Sequence, residues 1–295
     1  MPIIKKAIIP IAGLGTRFLP LSKVLPKELW PLVDKPVIQY IIEEAQASGI
    51  KEIIFVNRPE KKEIPKYFKK YLKKTPELEA LLKMRKKKHL LNELKNLEKI
   101  TKNISFSYVF QKKPLGDGNA ILQAKSLVGK EPFAVLWADD VVESKIPCLL
   151  QLIKVFEKYK GQVMALYKIP RESFQFYGMV GGKKVSNRIY QIKKIVEKPA
   201  QIKKSPSNLA IVGKYIFTPE VFEWLKKNSL NKNKELITDE VLGKAIINGK
   251  EVYGCEFEGK WLECGNKLAY LKSNFYLSLK HPQFGKELKI FLKEI

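Results

Sequence analysis

Lys6-Ala7-Ile8-Ile9-Pro10-Ile11 runs without a break into Ala12-Gly13-Leu14-Gly15-Thr16-Arg17, and the rest of the chain is read outward from that junction. A short apolar run rich in isoleucine suits a strand buried on both faces. The glycines after it let the chain turn and bring backbone N–H groups close to phosphate oxygens with no Cβ in the way. A strand with such a turn at its carboxyl end is the entry to a parallel α/β sheet, where ligands bind outside the strand ends. Two familiar phosphate-binding patterns fail on spacing. Phe18 stands where a dinucleotide fingerprint needs a third small residue, and no Gly-Lys-Ser/Thr follows to make a P-loop.

Val37 to Ser48 has helical spacing, and Gly49 stands where a C-cap glycine belongs. Glu52 to Asn57 reads as the second strand, and Ile64 to Leu72 with Glu77 to Leu97 as helical material rich in i,i+4 opposite charges. Ile104 to Gln111 and Phe133 to Trp137 supply further strands, the latter ending at Asp139 and Asp140, which places two acids at the ligand-binding edge. Beyond residue 150 the pattern is mixed, with strands at Gln162 to Ile169, Met179 to Val185, Ile189 to Val196 and Leu209 to Phe217. Helices are expected at Pro219 to Lys227 and Thr238 to Asn248, then a strand pair at Glu251 to Glu256 and Lys260 to Glu263. Terminal helices come last, at Lys267 to Lys280 and Gln283 to Lys293. No internal repeat or flexible linker breaks the chain.

With 295 residues, 45% of them hydrophobic, the chain can bury a substantial core. No apolar run is long enough for a membrane span, and Ala7 to Ile11 leads into a turn rather than a cleavage site, so a cytoplasmic location is expected. Cys148, Cys255 and Cys264 are odd in number and form no C-x-x-C pair, which points to reduced thiols. His89 and His281 lie among lysines and are expected on solvated surface, so histidine-centred acid/base or metal chemistry is not expected. The net charge of +25 raises the question of nucleic acid. Almost all of it is lysine scattered from Lys5 to Lys293, with arginine only at positions 17, 58, 85, 171 and 188, whereas phosphate and groove recognition exploits arginine forks. Nucleic acid is therefore not an expected partner, and the run Lys83 to Lys88 reads as a solvated helical face.

After the Gly turn come Ser22-Lys23-Val24-Leu25-Pro26-Lys27-Glu28-Leu29, with Pro20, Pro26 and Pro31 stiffening a segment that presents cations. The whole run PIAGLGTRFLPLSKVLPKELWPLVDKPVIQYIIEEA, Pro10 to Ala45, closely resembles the N-terminal signature of bacterial UTP-glucose-1-phosphate uridylyltransferases. The resemblance continues through ELEALLKMRKKKHLLNEL (Glu77 to Leu94), PLGDGNAI (Pro114 to Ile121), Asp139-Asp140, YGMV (Tyr177 to Val180), VEKP (Val196 to Pro199), SNLAIVGKYIF (Ser207 to Phe217) and WLECGNKLAYL (Trp261 to Leu271). It implies an α/β, Rossmann-like nucleotide-diphospho-sugar transferase fold with a mixed, mostly parallel central sheet. It also implies a single domain over residues 1–295, its nucleotide part to about residue 145 and its sugar-phosphate part beyond. The implied reaction joins UTP and glucose 1-phosphate into UDP-glucose and pyrophosphate with Mg²⁺, in a homo-oligomer.

Carried over by position, the resemblance puts Ala12 and Gly13 beside uracil and ribose, Gly15 in the nucleotide turn, and Glu28, Gln111 and Gly116 on the base. Arg17 and Lys27 fall to the triphosphate and the departing pyrophosphate, and Gly178, Glu197 and Lys198 to the sugar phosphate. Asp139 matches the metal-binding acid and Glu263 a possible second ligand. Three departures stand out. Glu263 replaces the usual Asp before Cys-Gly, Asp117 and Asn119 stand where Leu and His are usual, and Phe110 replaces the common Arg before Gln111. The chemistry agrees independently with the scarcity of histidine. A sugar phosphate is mostly deprotonated at neutral pH, its second pKa being about 6, so no dedicated base is needed. A thymidylyltransferase, another sugar nucleotidyltransferase and a weakly active regulatory paralogue remain the competing readings.

Overall fold

The computed structural model describes residues 4–71, 75–100, 102–229 and 234–294. The first half runs β1 (Lys6–Pro10), a two-stranded clip of β2 (Pro31–Leu32) and β3 (Lys35–Pro36), α1 (Val37–Ala47), β4 (Glu52–Asn57) and α2 (Glu63–Lys66). Helices α3 (Pro76–Met84) and α4 (Lys88–Ile100) lead to β5 (Ser105–Phe110), α5 (Asp117–Gln123), α6 (Lys125–Val128), β6 (Phe133–Leu136), β7 (Asp140–Glu143) and α7 (Cys148–Tyr159). The second half runs β8 (Gln162–Lys168), β9 (Gly178–Ser186), β10 (Ile189–Glu197), β11 (Leu209–Phe217), α8 (Glu220–Asn228) and α9 (Thr238–Ile247). It closes with β12 (Val252–Glu256), β13 (Lys260–Glu263), α10 (Lys267–Ser278) and α11 (Gly285–Phe291).

Nine strands form one mixed sheet in the order β5-β4-β1-β6-β11-β8-β12-β10-β9. The first four are mutually parallel, as the opening strand-turn-helix-strand pattern requires. Strand β11 then runs antiparallel between β6 and β8, and β8 and β12 are again parallel. Alternation along β1 shows why the sheet is covered on both sides. Ala7 and Ile9 join the core packed by α1 and α7, and Ile8 joins the core packed by α5, α8 and α9. Ile8, Ile9, Ile53 and Ile54 have no exposed surface, and each contributes about 1.5–3 kcal/mol by burial. Helix α1 buries Ile38, Ile41, Ile42 and Ala45, an i,i+3,i+4,i+7 stripe, and Gly49 follows its end with a positive φ of 91°.

Several expectations need correction. The two last strands part company. Val252 to Cys255 is buried and enters the main sheet between β8 and β10, whereas β13 pairs antiparallel with β7 in a separate ribbon. Helix α7, which the sequence reading does not anticipate, buries Leu149, Leu152, Ile153 and Phe156 at regular helical spacing. The run Lys83 to Lys88 is not one helical face, because α3 ends at Met84 and Lys86 takes a positive φ between the two helices. His281 is not simply solvated: its ring stacks on Phe284 and its Nε2 lies 3.2 Å from Asp34 Oδ2, while His89 is exposed. Leu72, expected at the end of a helix, lies outside the described residues. Among the described residues, no helix is long and apolar enough to cross a membrane.

Candidate active site

The turn after β1 leaves the sheet at its carboxyl edge, and an aromatic anchor fixes the segment beyond it. Phe18 is fully buried edge-on to Trp30, ring centroids 4.6 Å apart, and Trp30 lies 5.4 Å from Tyr270 of α10. The segment between Phe18 and Trp30 is thereby pinned at both ends, with Lys27 turned inward and Arg17 exposed at the mouth of the site. Lys27 donates a hydrogen bond to Asp139 Oδ2. Burial works against the Lys27 ammonium, but Asp139, Glu28 and Asp140 outweigh it and hold its pKa above the ordinary lysine value. Burial likewise opposes the charge on Asp139, and Lys27 with Arg17 reverses that effect and lowers its pKa. The pair is therefore fully ionised at neutral pH.

Asp139 and Asp140, equivalent in the sequence, do different things. Asp140 Oδ1 accepts from Trp261 Nε1 at 2.8 Å and Oδ2 from the Gly213 N–H at 3.0 Å, which ties this acid into the framework. Beneath it the wholly buried Lys214 pairs with Glu44 at 2.9 Å, and Glu44 also accepts from the Leu149 N–H that opens α7. Asp139 instead takes the Lys27 ammonium on its Oδ2 and lines two of the cavities along this edge. The antiparallel register of β13 on β7 sets Glu263 opposite Asp140, and the Cys264 N–H donates to the Asp139 carbonyl at 2.7 Å. A Cβ on Gly265 would stand 3.1 Å from Asp139 Oδ2 and 3.3 Å from Glu263 Oε1, so the two carboxyl groups face one small gap. Glu263 is oriented by hydrogen bonds from Tyr177 Oη and from Asn266 Nδ2, the latter at 3.1 Å. Among the described residues no three metal-binding side chains cluster, so a cation in this gap would need oxygens from a ligand as well.

Three cavities adjoin along this edge. One of about 300 Å³ gathers Ala12, Gly13, Glu28, Gln111 and Gly116, five of the expected nucleotide residues. Gln111 Nε2 donates to the Gly116 carbonyl at 2.9 Å and to Asn119 Oδ1 at 3.0 Å, which leaves its Oε1 with no hydrogen bond among the described residues. Asn119, one of the departures, thus orients Gln111. Glu28 is buried and accepts from Lys61 Nζ at 2.7 Å. Gly116 has a φ of 93°, and a Cβ there would lie 2.5 Å from the Leu236 carbonyl oxygen, so only glycine fits.

The second cavity, about 340 Å³, brings together Arg17, Asp139, Gly178, Glu197, Lys198 and Glu263. Lys198 pairs with Glu197 at 2.6 Å and stays half-exposed. Asp117, Trp137, Asp139 and Glu235 line both cavities, which therefore adjoin. Gly15 lies apart, in a third cavity of about 440 Å³ that also gathers Lys23, Lys27, Arg58 and Lys61. The expected residues thus fall into three adjoining cavities, with Lys27 lining the first and third and Asp139 the first and second. Lys61, Arg58, Tyr215, Glu235 and Asp239 also line these cavities without being expected from the sequence. Their positions depend on tertiary closure, and only Asp239 carries a local signal, as an acid in the first turn of α9.

Comparison with known proteins gives a consistent result. Residues 6–278 match the model of the nucleotidyl transferase family. The chain is 40% identical over 293 residues to a UTP–glucose-1-phosphate uridylyltransferase of Staphylococcus epidermidis, covering 99% of this chain and 98% of that one. It superposes on a UDP-glucose pyrophosphorylase complexed with UDP-glucose with a TM-score of 0.82 at 35% identity, over 94% of this chain and 100% of that one. A UTP-bound enzyme of the same kind from Acinetobacter baumannii gives a TM-score of 0.86 at 34% identity, over 99% of each chain.

Proposed function

The chain belongs to the nucleotidyl transferase family, and from that premise we propose that it is a UTP–glucose-1-phosphate uridylyltransferase. The observation that carries this reading is the meeting of a base pocket, a sugar pocket and a cationic basin at the Lys27–Asp139 pair. A phosphate oxygen of glucose 1-phosphate forms a bond to the α-phosphorus of UTP as the bond from that phosphorus to the α,β-bridging oxygen breaks. The products are UDP-glucose and pyrophosphate. The nucleophile is already mostly deprotonated at neutral pH, so the site supplies position and charge rather than a base.

Each group then has a part. Gln111 Oε1 accepts the N3–H of uracil, Ala12 and Gly13 leave room for the nucleoside, and Arg17 and Lys27 stabilise charge on the leaving pyrophosphate. Lys198 pairs with the sugar phosphate, and Glu197 accepts sugar hydroxyls across the gap that Gly178 leaves. Asp139 and Glu263, converging on Gly265, are the residues suited to hold Mg²⁺, which when bound neutralises the phosphate oxygens. We read the protein as a single domain with its two functional parts on one sheet, as cytoplasmic, and as a homo-oligomer. The exposed row Leu268, Leu271 and Phe275 on α10 favours the last. Supplying UDP-glucose, pyrophosphate and Mg²⁺ should release UTP, and failure of this reverse reaction in a folded preparation would sink the reading.

A further inference from the structure

Asp239, the second residue of α9, lines the sugar-side cavity beside Gly178 and Glu197 and has no part in the reaction as proposed. Tyr215 Oη donates to its Oδ1 at 3.0 Å. Its Oδ2 and Glu197 Oε2 each lie 2.9 Å from the point where a Cβ on Gly178 would stand. Two carboxyl groups from different elements therefore flank one gap that glycine keeps open. The start of α9 is held by a seam to the turn that carries Gly116. Leu236 N–H donates to the Leu115 carbonyl at 2.8 Å and Gly118 N–H to the Leu236 carbonyl at 2.8 Å. Thr238 N–H donates to Asp117 Oδ1 at 3.1 Å. Burial, with Glu197 and Asp117 adding to it, pushes the Asp239 pKa up to about 8. A protonated carboxyl has one donor and a free acceptor, whereas Glu197, ion-paired with Lys198, only accepts.

We propose that Asp239 is a specificity-determining residue that binds one hydroxyl of the hexose ring while Glu197 binds its neighbour. The proposal rests on the sugar 1-phosphate reading of this cavity. Adjacent equatorial hydroxyls of a pyranose project side by side, as the paired carboxyl groups do. Inverting one carbon takes its hydroxyl out of the gap and leaves Asp239 Oδ2 without a partner. A site built to hydrogen-bond a hydroxyl discriminates strongly for that reason.

The test is steady-state kinetics of Asp239→Asn and Asp239→Ala with glucose 1-phosphate, galactose 1-phosphate and the singly deoxygenated glucose 1-phosphates. The Asn variant keeps a donor and an acceptor and should stay close to wild type. The Ala variant should lose about 10- to 100-fold in kcat/KM for glucose 1-phosphate, through KM, with KM for UTP unchanged. For the one deoxy analogue that lacks the contacted hydroxyl, that loss should vanish. An equal loss on every deoxy analogue, or a matching rise in KM for UTP, would overturn the proposal and leave Asp239 with a structural role. Gly178→Ala fills the gap without removing either carboxyl group and should raise the sugar-phosphate KM, with relief for the same analogue. That variant decides the matter should Asp239→Ala fail to fold, and an unchanged sugar-phosphate KM would count against the proposal. A wild-type protein that turns over no sugar 1-phosphate would defeat the parent reading, and this one with it.

Discussion

Lys27 and Arg17 are the two cations we propose for the phosphates, yet their surroundings separate them. Lys27 is tied to Asp139 in a half-buried pair, whereas Arg17 is exposed and makes no ion pair among the described residues. Arg17→Ala and Lys27→Ala should each lower kcat by about 100-fold, since leaving-group charge develops in the transition state, while UDP-glucose affinity measured by calorimetry changes less. Only Lys27→Ala should also lower the melting temperature, because it leaves the Asp139 carboxylate unpaired. Near-wild-type turnover in both variants would remove them from the triphosphate. Asp239 adds a pH signature. Burial, Glu197 and Asp117 raise its pKa from 3.8 to about 8, opposed by Tyr215 and Lys198. The folded protein therefore holds a proton that the unfolded chain gives up, and this contribution to stability falls as pH rises from about 4 to about 8. Asp239→Asn should flatten that fall, raising the melting temperature at pH 8.5 by at least about 2 °C, the shift that ~1 kcal/mol produces in a protein of this size. A parallel profile for wild type and variant would remove the buried proton from the account.

At the level of elements, the seam between the α5 turn and the start of α9 joins the Gln111 cavity to the Glu197 cavity. The N-cap residue of α9 is Ile237, which has no side-chain acceptor, and Asp117 from α5 does the capping instead. Asp117→Ala should cost about 1 kcal/mol in chemical denaturation, and Asp117→Asn, which keeps the acceptor without a buried acid, should cost less. Equal losses would mean that the carboxyl charge rather than the cap matters. The seam also marks the limit of what the sequence alone discloses. Strands β1, β4 and β11 are legible because each is a continuous buried apolar run, and helix α1 because its buried stripe is local and periodic. Arg17, Lys27 and Glu28 are legible because they share one contiguous stiffened segment. Asp117 registers in the sequence only as an odd residue in a familiar motif, and its purpose depends on an element 121 positions away. The ribbon of β13 on β7 is equally silent, since nothing within Lys260 to Glu263 states that its partner is the strand after Asp139 rather than β12.

Across the whole molecule, one sheet carries β1 and β6 together with β9, β10 and β11, so the two sides of the proposed site rest on a shared framework. The gap we propose for the cation is flanked by Asp139 and Glu263 jointly. Asp139→Asn should nearly abolish turnover at ordinary magnesium concentrations, and Glu263→Gln should sharply raise the magnesium required, whereas Glu263→Asp should be tolerated or improved. Indistinguishable magnesium titrations for wild type and both Glu263 variants would leave Asp139 as the sole protein ligand. Selection of the two substrates is the central claim, and it is tested most directly by pyrophosphate release. The assay would pair each common nucleoside triphosphate with glucose, galactose and mannose 1-phosphates. The highest kcat/KM should belong to UTP with glucose 1-phosphate, and a clear preference for dTTP or ATP, or for another sugar, would contradict it.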